Sequence, residues 1–370
     1  MIDIITPKHY LNKPGALLEA GKLIAPFAKR VFIVAGSTAF SAAGETLLES
    51  LDSSGIAHEV WKYTGYPTTE TSKEIAGLAK QFKADALISL GGGRITDTTK
   101  TAARFADMEV IAIPTIASTC ASFAPVAIMY TREGAFVEPL HHQKAPLLII
   151  ADTDILTAAP LRYLRAGIAD TLAKWYEIAP SLEHSDDLYL KLNVQYGELA
   201  RDILETKGLK VVADLQRGIH DPHEVHDVID TIFLMAGLCG SIKTAFTIPG
   251  IAHPLYNAFS TIPELRSALH GEKVAFGLLV QGVLEKQRHA EIEHRLEVFT
   301  ELELPLTLSE LGLTHEVDAK LARISILVKK AIPAYCGLDK PFTEETLVSA
   351  IKTASRLAAE YREKRLPLAV

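Results

Sequence analysis

Four short apolar runs constrain this chain more than anything else in it. They are Arg30-Val-Phe-Ile-Val-Ala-Gly36, Ala84-Asp-Ala-Leu-Ile-Ser-Leu90, Val110 to Pro114 and Leu147 to Ala151. None alternates apolar with polar residues, so each reads as a parallel strand buried on both faces. A further strand is expected at His58 to Tyr63. Between the strands lie helical patterns at Ser41 to Ser50, at Thr68 to Lys83 behind hydroxyl-bearing cap candidates, and at Thr96 to Phe105. Another covers Gly15 to Ala28, and Ala127 to Tyr130 with Ala135 to Val137 suggests a hairpin. Strands alternating with helices over short connections specify an open, mostly parallel sheet, whose ligands sit at the carboxyl ends of the strands.

From about Thr157 the strand signals thin out. Helical patterns take over: Ile168 to Ile178, Asp187 to Glu205, His226 to Leu238, Lys273 to Lys286, Glu291 to Leu302, Val317 to Val328 and Thr343 to Glu360. With 370 residues the chain exceeds one ordinary core. The expected division is an α/β domain over 1–157 and an all-helical domain over 158–370, with Pro160 near the boundary and the active site in the cleft between them. A net charge of −7 disfavours a nucleic-acid partner, which would want a basic face. The apolar runs are too short for a bilayer. The three cysteines, Cys120, Cys239 and Cys336, are no disulfide framework and suit a reducing compartment. Met1 to Pro7 lacks the basic and long apolar regions of a signal peptide. A cytoplasmic enzyme with a small-molecule substrate is expected, as a homo-oligomer.

Two strand ends carry chemistry. Gly91-Gly92-Gly93 follows the second apolar run; without side chains its backbone can approach a phosphate, and the N–H groups opening the next helix favour an anion. The bland alternative is a plain strand-to-helix turn, for which one glycine suffices. The spacing is not G-x-G-x-x-G, so an ordinary Rossmann assignment does not follow. Pro114-Thr-Ile-Ala-Ser-Thr-Cys-Ala-Ser122 is a hydroxyl cluster able to bond phosphate, ribose or nicotinamide, or simply a capped turn. In the second half, Asp170 and Lys174 lie one turn apart on a helix face, while His253 and His270 stand apart from the other histidines, His141 and His142 being of the ordinary surface kind. One carboxylate and two imidazoles form a ligand set that leaves a metal ion an open position. Each histidine taken singly is as well explained as a structural residue.

Together, Gly91-Gly-Gly-Arg-Ile-Thr-Asp-Thr-Thr-Lys100, Pro114-Thr-Ile-Ala-Ser-Thr119, Gly167-Ile-Ala-Asp170, Ala252-His253 and His270-Gly-Glu-Lys-Val-Ala-Phe-Gly277 resemble the glycerol dehydrogenase branch of the iron-containing alcohol dehydrogenase superfamily. Within it, Thr115 to Ala121 and Ala169 to Glu177 look most similar to the hydroxycarboxylate dehydrogenases. The resemblance implies the dehydroquinate synthase-like fold, a nicotinamide dinucleotide and a divalent metal. It assigns Asp170, His253 and His270 to the metal, Gly91, Gly92 and Gly93 to the pyrophosphate loop, and Asp97 to the cofactor-binding residues. Thr115, Ser118, Val126 and Tyr130 fall where members touch the cofactor.

The departures bear on specificity. Iron-binding members usually carry a histidine one turn after the aspartate; here Lys174 stands there, which favours zinc over iron. Glycerol dehydrogenases have an aspartate near the substrate where this chain has Cys120. They also have an acidic residue after the first core strand, replaced here by Gly36-Ser37, which removes a charge that would repel a 2′-phosphate and makes NADP as acceptable as NAD. Lys174 facing the metal would hold a substrate carboxylate, pointing to a 2-hydroxy acid and 2-oxo acid pair. The competing roles for Lys174 and Cys120 are a solvated lysine and an inert thiol. Three other functions remain open from sequence: a polyol dehydrogenase, a synthase of the dehydroquinate type using NAD transiently, and a non-catalytic binding protein.

Overall fold

The structure, a computed structural model, describes residues 3–184, 186–243, 250–332 and 341–365. Cys336, one of the thiols noted above, lies outside the described residues. The chain divides into two compact units, Met1–Leu164 with Asp214–Lys243, and Arg165–Ala213 with Thr244–Val370.

The first unit is built on strands β1 (His9–Lys13), β2 (Arg30–Gly36), β3 (Ala57–Tyr63), β4 (Ala86–Gly91), β5 (Glu109–Pro114), β6 (Val126–Tyr130), β7 (Phe136–His141) and β8 (Leu148–Asp152). Six of them form one sheet in the order β1-β8-β5-β4-β2-β3, and every neighbouring pair is parallel. β6 and β7 are the antiparallel hairpin. Register aligns Gly36 with Tyr63 and Gly91 with Pro114, so the carboxyl ends of β2 to β5 form one row.

Successive side chains alternate between the two faces of a strand. Val31, Ile33 and Ala35 of β2 join Ile88 and Ile111 under helix α1 (Ser37–Ser53), through Ala43, Leu47 and Leu51. Phe32 and Val34 join Leu87 on the other face, under helices α2 (Thr69–Gln81) and α3 (Gly93–Ala106). Both faces are therefore dry, and this is why the runs are apolar at nearly every position between their ends. Each such side chain contributes about 1.5–3 kcal/mol through burial.

The structure departs from the sequence expectations at three places here. β1 was not expected, because His9-Tyr-Leu-Asn-Lys13 carries no apolar run. It is an edge strand whose side-chain donors have partners: the Tyr10 hydroxyl donates to Asp230 Oδ1 at 2.6 Å, and Asn12 Nδ2 donates to the same oxygen at 2.7 Å. That tie explains the second departure, since Asp214–Lys243 was expected in the helical domain and instead groups with the first unit. Third, His142 is no surface residue: it is buried, at 5% exposure, while His141 is exposed.

In the second unit the described residues are mainly helical. Helix α4 (Leu161–Tyr176) enters it at Arg165, followed by Leu188–Ile203, α5 (Ala252–Phe259), α6 (His270–Leu284), His289–Glu301, Val317–Ala331 and Glu344–Arg365. α6 is the centre of this unit. From Gly271 to Gly282 every residue is buried, and a helix that is apolar on all sides belongs inside a core. Among the described residues no helix is long and apolar enough to cross a membrane.

Candidate active site

The chemistry of the second unit is set where α4, α5 and α6 approach closely. Gly271 has no room for a side chain, since a Cβ there would lie 1.8 Å from the Ala166 carbonyl oxygen. A Cβ at Gly277 would lie 2.7 Å from the Cα of Ala252. One glycine thus brings α6 onto α4 beside His270, and the other brings α6 onto α5 beside His253. Glu272 fixes the start of α6 by accepting the Leu269 N–H at 2.6 Å.

The donors converge as a result. Asp170, His253 and His270 each offer one ligand atom, and these atoms all lie within 4.8 Å of one another. His270 Nε2 is 2.8 Å from Asp170 Oδ1, and His253 Nε2 is 3.5 Å from the same oxygen. Glu177 stands behind His253, bonded to its Nδ1 and accepting its backbone N–H at 3.0 Å. Tyr256 meets the His270 ring edge-on at 4.2 Å between centroids.

Electrostatics separate the two imidazoles. Burial opposes charge on His253, but Glu177 and Asp170 overcome it, and its pKa is pushed up to about 9. For His270, burial is joined by the charges of His253 and Lys174, and its pKa falls below the ordinary imidazole value despite Asp170. Burial also opposes ionisation of Asp170; the charges of His270 and Lys174 and the two imidazole hydrogen bonds hold it well below the usual carboxylate range. A buried carboxylate beside two imidazoles, one of them carrying a proton, is a donor set that a divalent cation fits: the ion replaces that proton as the counter-charge.

Lys174 lies half-buried on α4 one turn beyond Asp170. Its charge acts on Asp170, Glu177, His253 and His270 alike, so it belongs to this site.

The first unit holds the remaining expected residues. Gly91 ends β4, Gly92 is the N-cap of α3 and Gly93 is its first helical residue, so the helix starts earlier than the expected Thr96. Cβ atoms at Gly91 and Gly92 would meet Ile95 at 2.9 Å and Ile116 at 2.5 Å, and one at Gly93 would stand 3.2 Å from Thr119 Oγ1. The glycines and the Thr115–Thr119 loop are therefore packed together, with α3 N–H groups at their junction. Thr115 is buried and Ser118 half-buried in that loop, and Cys120 opens the short 3-10 turn that follows it.

Asp97 is turned inward: Oδ2 accepts the Ile128 N–H at 3.0 Å and Oδ1 pairs with Lys100 at 2.9 Å. Lys100 has a role here that its sequence context does not announce. Its ammonium donates to the carbonyls of Ala121 (2.8 Å), Ala124 (3.1 Å) and Val126, which ties the whole 120–126 segment to α3. The Tyr130 ring lies 5.6 Å from that of Tyr66, which carries the Arg94 guanidinium at 4.2 Å. Gly36 is the extended N-cap of α1 and Ser37 its first residue; that first turn holds no acidic side chain. Glu177 was the other omission, and its signal was its place seven residues after Asp170, two turns along the same face.

The chain is similar to known proteins over most of its length. Residues 7–153 match the model of the family described as iron-containing alcohol dehydrogenase. A glycerol dehydrogenase from Escherichia coli is 30% identical over 86% of this chain and 87% of its own. The chain belongs to the iron-containing alcohol dehydrogenase family. A second Escherichia coli member, hydroxycarboxylate dehydrogenase A, is 28% identical over 96% of this chain and 98% of its own. Among solved structures, a probable glycerol dehydrogenase from Sinorhizobium meliloti superposes with a TM-score of 0.86 at 26% identity, covering 96% of this chain and 99% of that one. This iron-containing alcohol dehydrogenase family member is thus an NAD(P)-linked, metal-using oxidoreductase of the glycerol dehydrogenase-like kind.

Proposed function

We propose that this dehydrogenase interconverts a small 2-hydroxy acid and its 2-oxo acid. The observation that carries the proposal is the place of Lys174, half-buried on α4 one turn beyond Asp170. Asp170, His253 and His270 would hold a divalent ion, which would supply Lewis acidity when bound, and a bound nicotinamide dinucleotide would supply the hydride chemistry. The protein's own residues do the rest. Asp170 supplies the negative charge and the two imidazoles, once the His253 proton is displaced, supply neutral nitrogen donors for a dication. Lys174 pairs with the substrate carboxylate and fixes which face of C2 is presented. Gly91, Gly92 and Gly93 leave the α3 N–H groups open to pyrophosphate, Thr115, Ser118, Val126 and Tyr130 line the cofactor's path, and Cys120 is an uncharged residue where glycerol dehydrogenases carry an aspartate.

Zinc is favoured over iron, because Lys174 occupies the position at which a fourth protein ligand would stand. NADP is favoured over NAD by the missing acid at Gly36-Ser37. The Lys62 ammonium adds to this, standing 4.0 Å over the Phe40 ring in the first turn of α1.

A polyol dehydrogenase is the second reading, and it has its own support in relatives named glycerol dehydrogenase. The two separate in one experiment: 2-oxobutyrate reduction and glycerol oxidation, with each dinucleotide and with added zinc, for wild type and Lys174→Ala. Losing a charge-assisted hydrogen bond costs about 1.5–3 kcal/mol, roughly ten- to a hundredfold in kcat/KM. That loss is expected for 2-oxobutyrate relative to glycerol. An unchanged preference sinks the oxo-acid proposal.

A further inference from the structure

Glu177 is buried, at 5% exposure, yet it is none of the three donors. It grips His253 twice, through the backbone N–H on Oε1 and through ring Nδ1 on Oε2. The chain makes room for it: a Cβ on Gly250 would lie 2.4 Å from the Glu177 Cβ. Gln281 of α6, at 1% exposure, holds the frame on both sides. Its Oε1 accepts the Ile251 N–H at 2.9 Å, two residues before His253, and its Nε2 donates to the Tyr176 carbonyl at 3.1 Å, one residue before Glu177.

An imidazole can bind a cation through either nitrogen, and the partner of one nitrogen decides the availability of the other. With Nδ1–H given to Glu177, the ring proton that an incoming ion displaces is the one on Nε2, and its loss leaves the lone pair there. That nitrogen is the one directed at Asp170. The backbone bond adds a second constraint, because it fixes the position of the Cα from which the ring projects.

We infer that Glu177 is a positioning residue of the metal centre, holding the His253 ring and backbone so that Nε2 faces the divalent ion. The inference rests on the metal-centre reading of Asp170, His253 and His270. Glu177→Gln tests it with almost no change in volume, since an amide keeps one acceptor for two donors and drops the charge. Metal-free wild type and variant are titrated with zinc, and separately with cobalt while the visible spectrum is followed. The expected result is zinc affinity lowered roughly ten- to a hundredfold, with a cobalt spectrum altered in band position or intensity. Zinc affinity within about twofold of wild type, with an unchanged cobalt spectrum, overturns the role of Glu177. Should the variant not fold, long-range 1H–15N spectra of zinc-loaded wild type decide: His253 protonated at Nδ1 and bound through Nε2 sustains the inference, and binding through Nδ1 overturns it. Wild type that takes up neither ion overturns the metal-centre reading itself, which keeps the two failures distinct.

Discussion

The two histidines of the donor set are chemically alike and electrostatically unlike. His253 sits between two carboxylates and keeps its proton up to about pH 9. Burial and neighbouring positive charge keep His270 closer to neutral. A metal ligand must be the neutral imidazole. Below pH 9, therefore, an incoming ion has to displace the His253 proton, and the apparent affinity should rise with pH through the neutral range and level off near 9. At neutral pH, about one proton should appear in solution per ion bound. Calorimetry in two buffers of different ionisation enthalpy measures that proton directly; uptake without proton release would show that the His253 nitrogen is not a ligand. The sequence made Asp170, His253 and His270 visible as residue types, but not this asymmetry. It comes from Glu177, whose own pKa is held down against burial by His253 and Lys174. Nothing in a string of letters says that a glutamate and a histidine 76 positions apart share a proton.

At the scale of elements, legibility followed burial. β2, β4, β5 and β8 were visible because both their faces are dry, and a two-faced strand has no polar position to obscure its pattern. β1 was invisible because an edge strand satisfies its polar side chains through partners more than 200 residues away. Helix starts at glycines were less legible: the helix after Gly92 begins at Gly93 and not at the expected Thr96. Two other glycines make a sharp comparison. Gly271 faces the Ala166 carbonyl at a distance no Cβ tolerates, whereas Gly77, exposed in the middle of α2, has nothing within 4 Å of its would-be Cβ. Gly77→Ala should stabilise the protein by about 0.5–1 kcal/mol, because it removes only backbone freedom from the unfolded chain. Gly271→Ala must push α6 away from α4, at a cost of roughly 1–3 kcal/mol or more, and carries His270 with it. Melting temperatures and zinc titrations of both variants check this. A Gly271→Ala protein that melts and binds zinc like wild type would mean that the α4–α6 approach does not set the donor geometry.

On the scale of the whole molecule, the two functional clusters belong to different compact units. Asp170, His253 and His270 come from three helices of the second unit, and the glycine and hydroxyl loops come from β4, α3 and the segment after β5 in the first. A ligand that binds only the folded form stabilises what it touches by RT ln(1 + [L]/Kd), about 2.7 kcal/mol at a hundredfold excess over Kd. Zinc added alone should therefore slow amide exchange in α4 around Asp170 and at the starts of α5 and α6. Dinucleotide added alone should slow it at Gly91 to Ile95 and along Thr115 to Val126. Exchange followed by mass spectrometry resolves the two sets of peptides. If zinc protected the glycine loop and left α4 to α6 unchanged, the donor assignment would be wrong; if dinucleotide left the glycine loop unchanged, the pyrophosphate assignment would be. Lys100 sharpens the second case. It bonds the three carbonyls that hold the 120–126 segment to α3, so Lys100→Met should raise exchange throughout that segment before any ligand is added. Dinucleotide binding to that variant should weaken, while zinc protection of α4 to α6 stays as in wild type, because none of the three donors leans on Lys100.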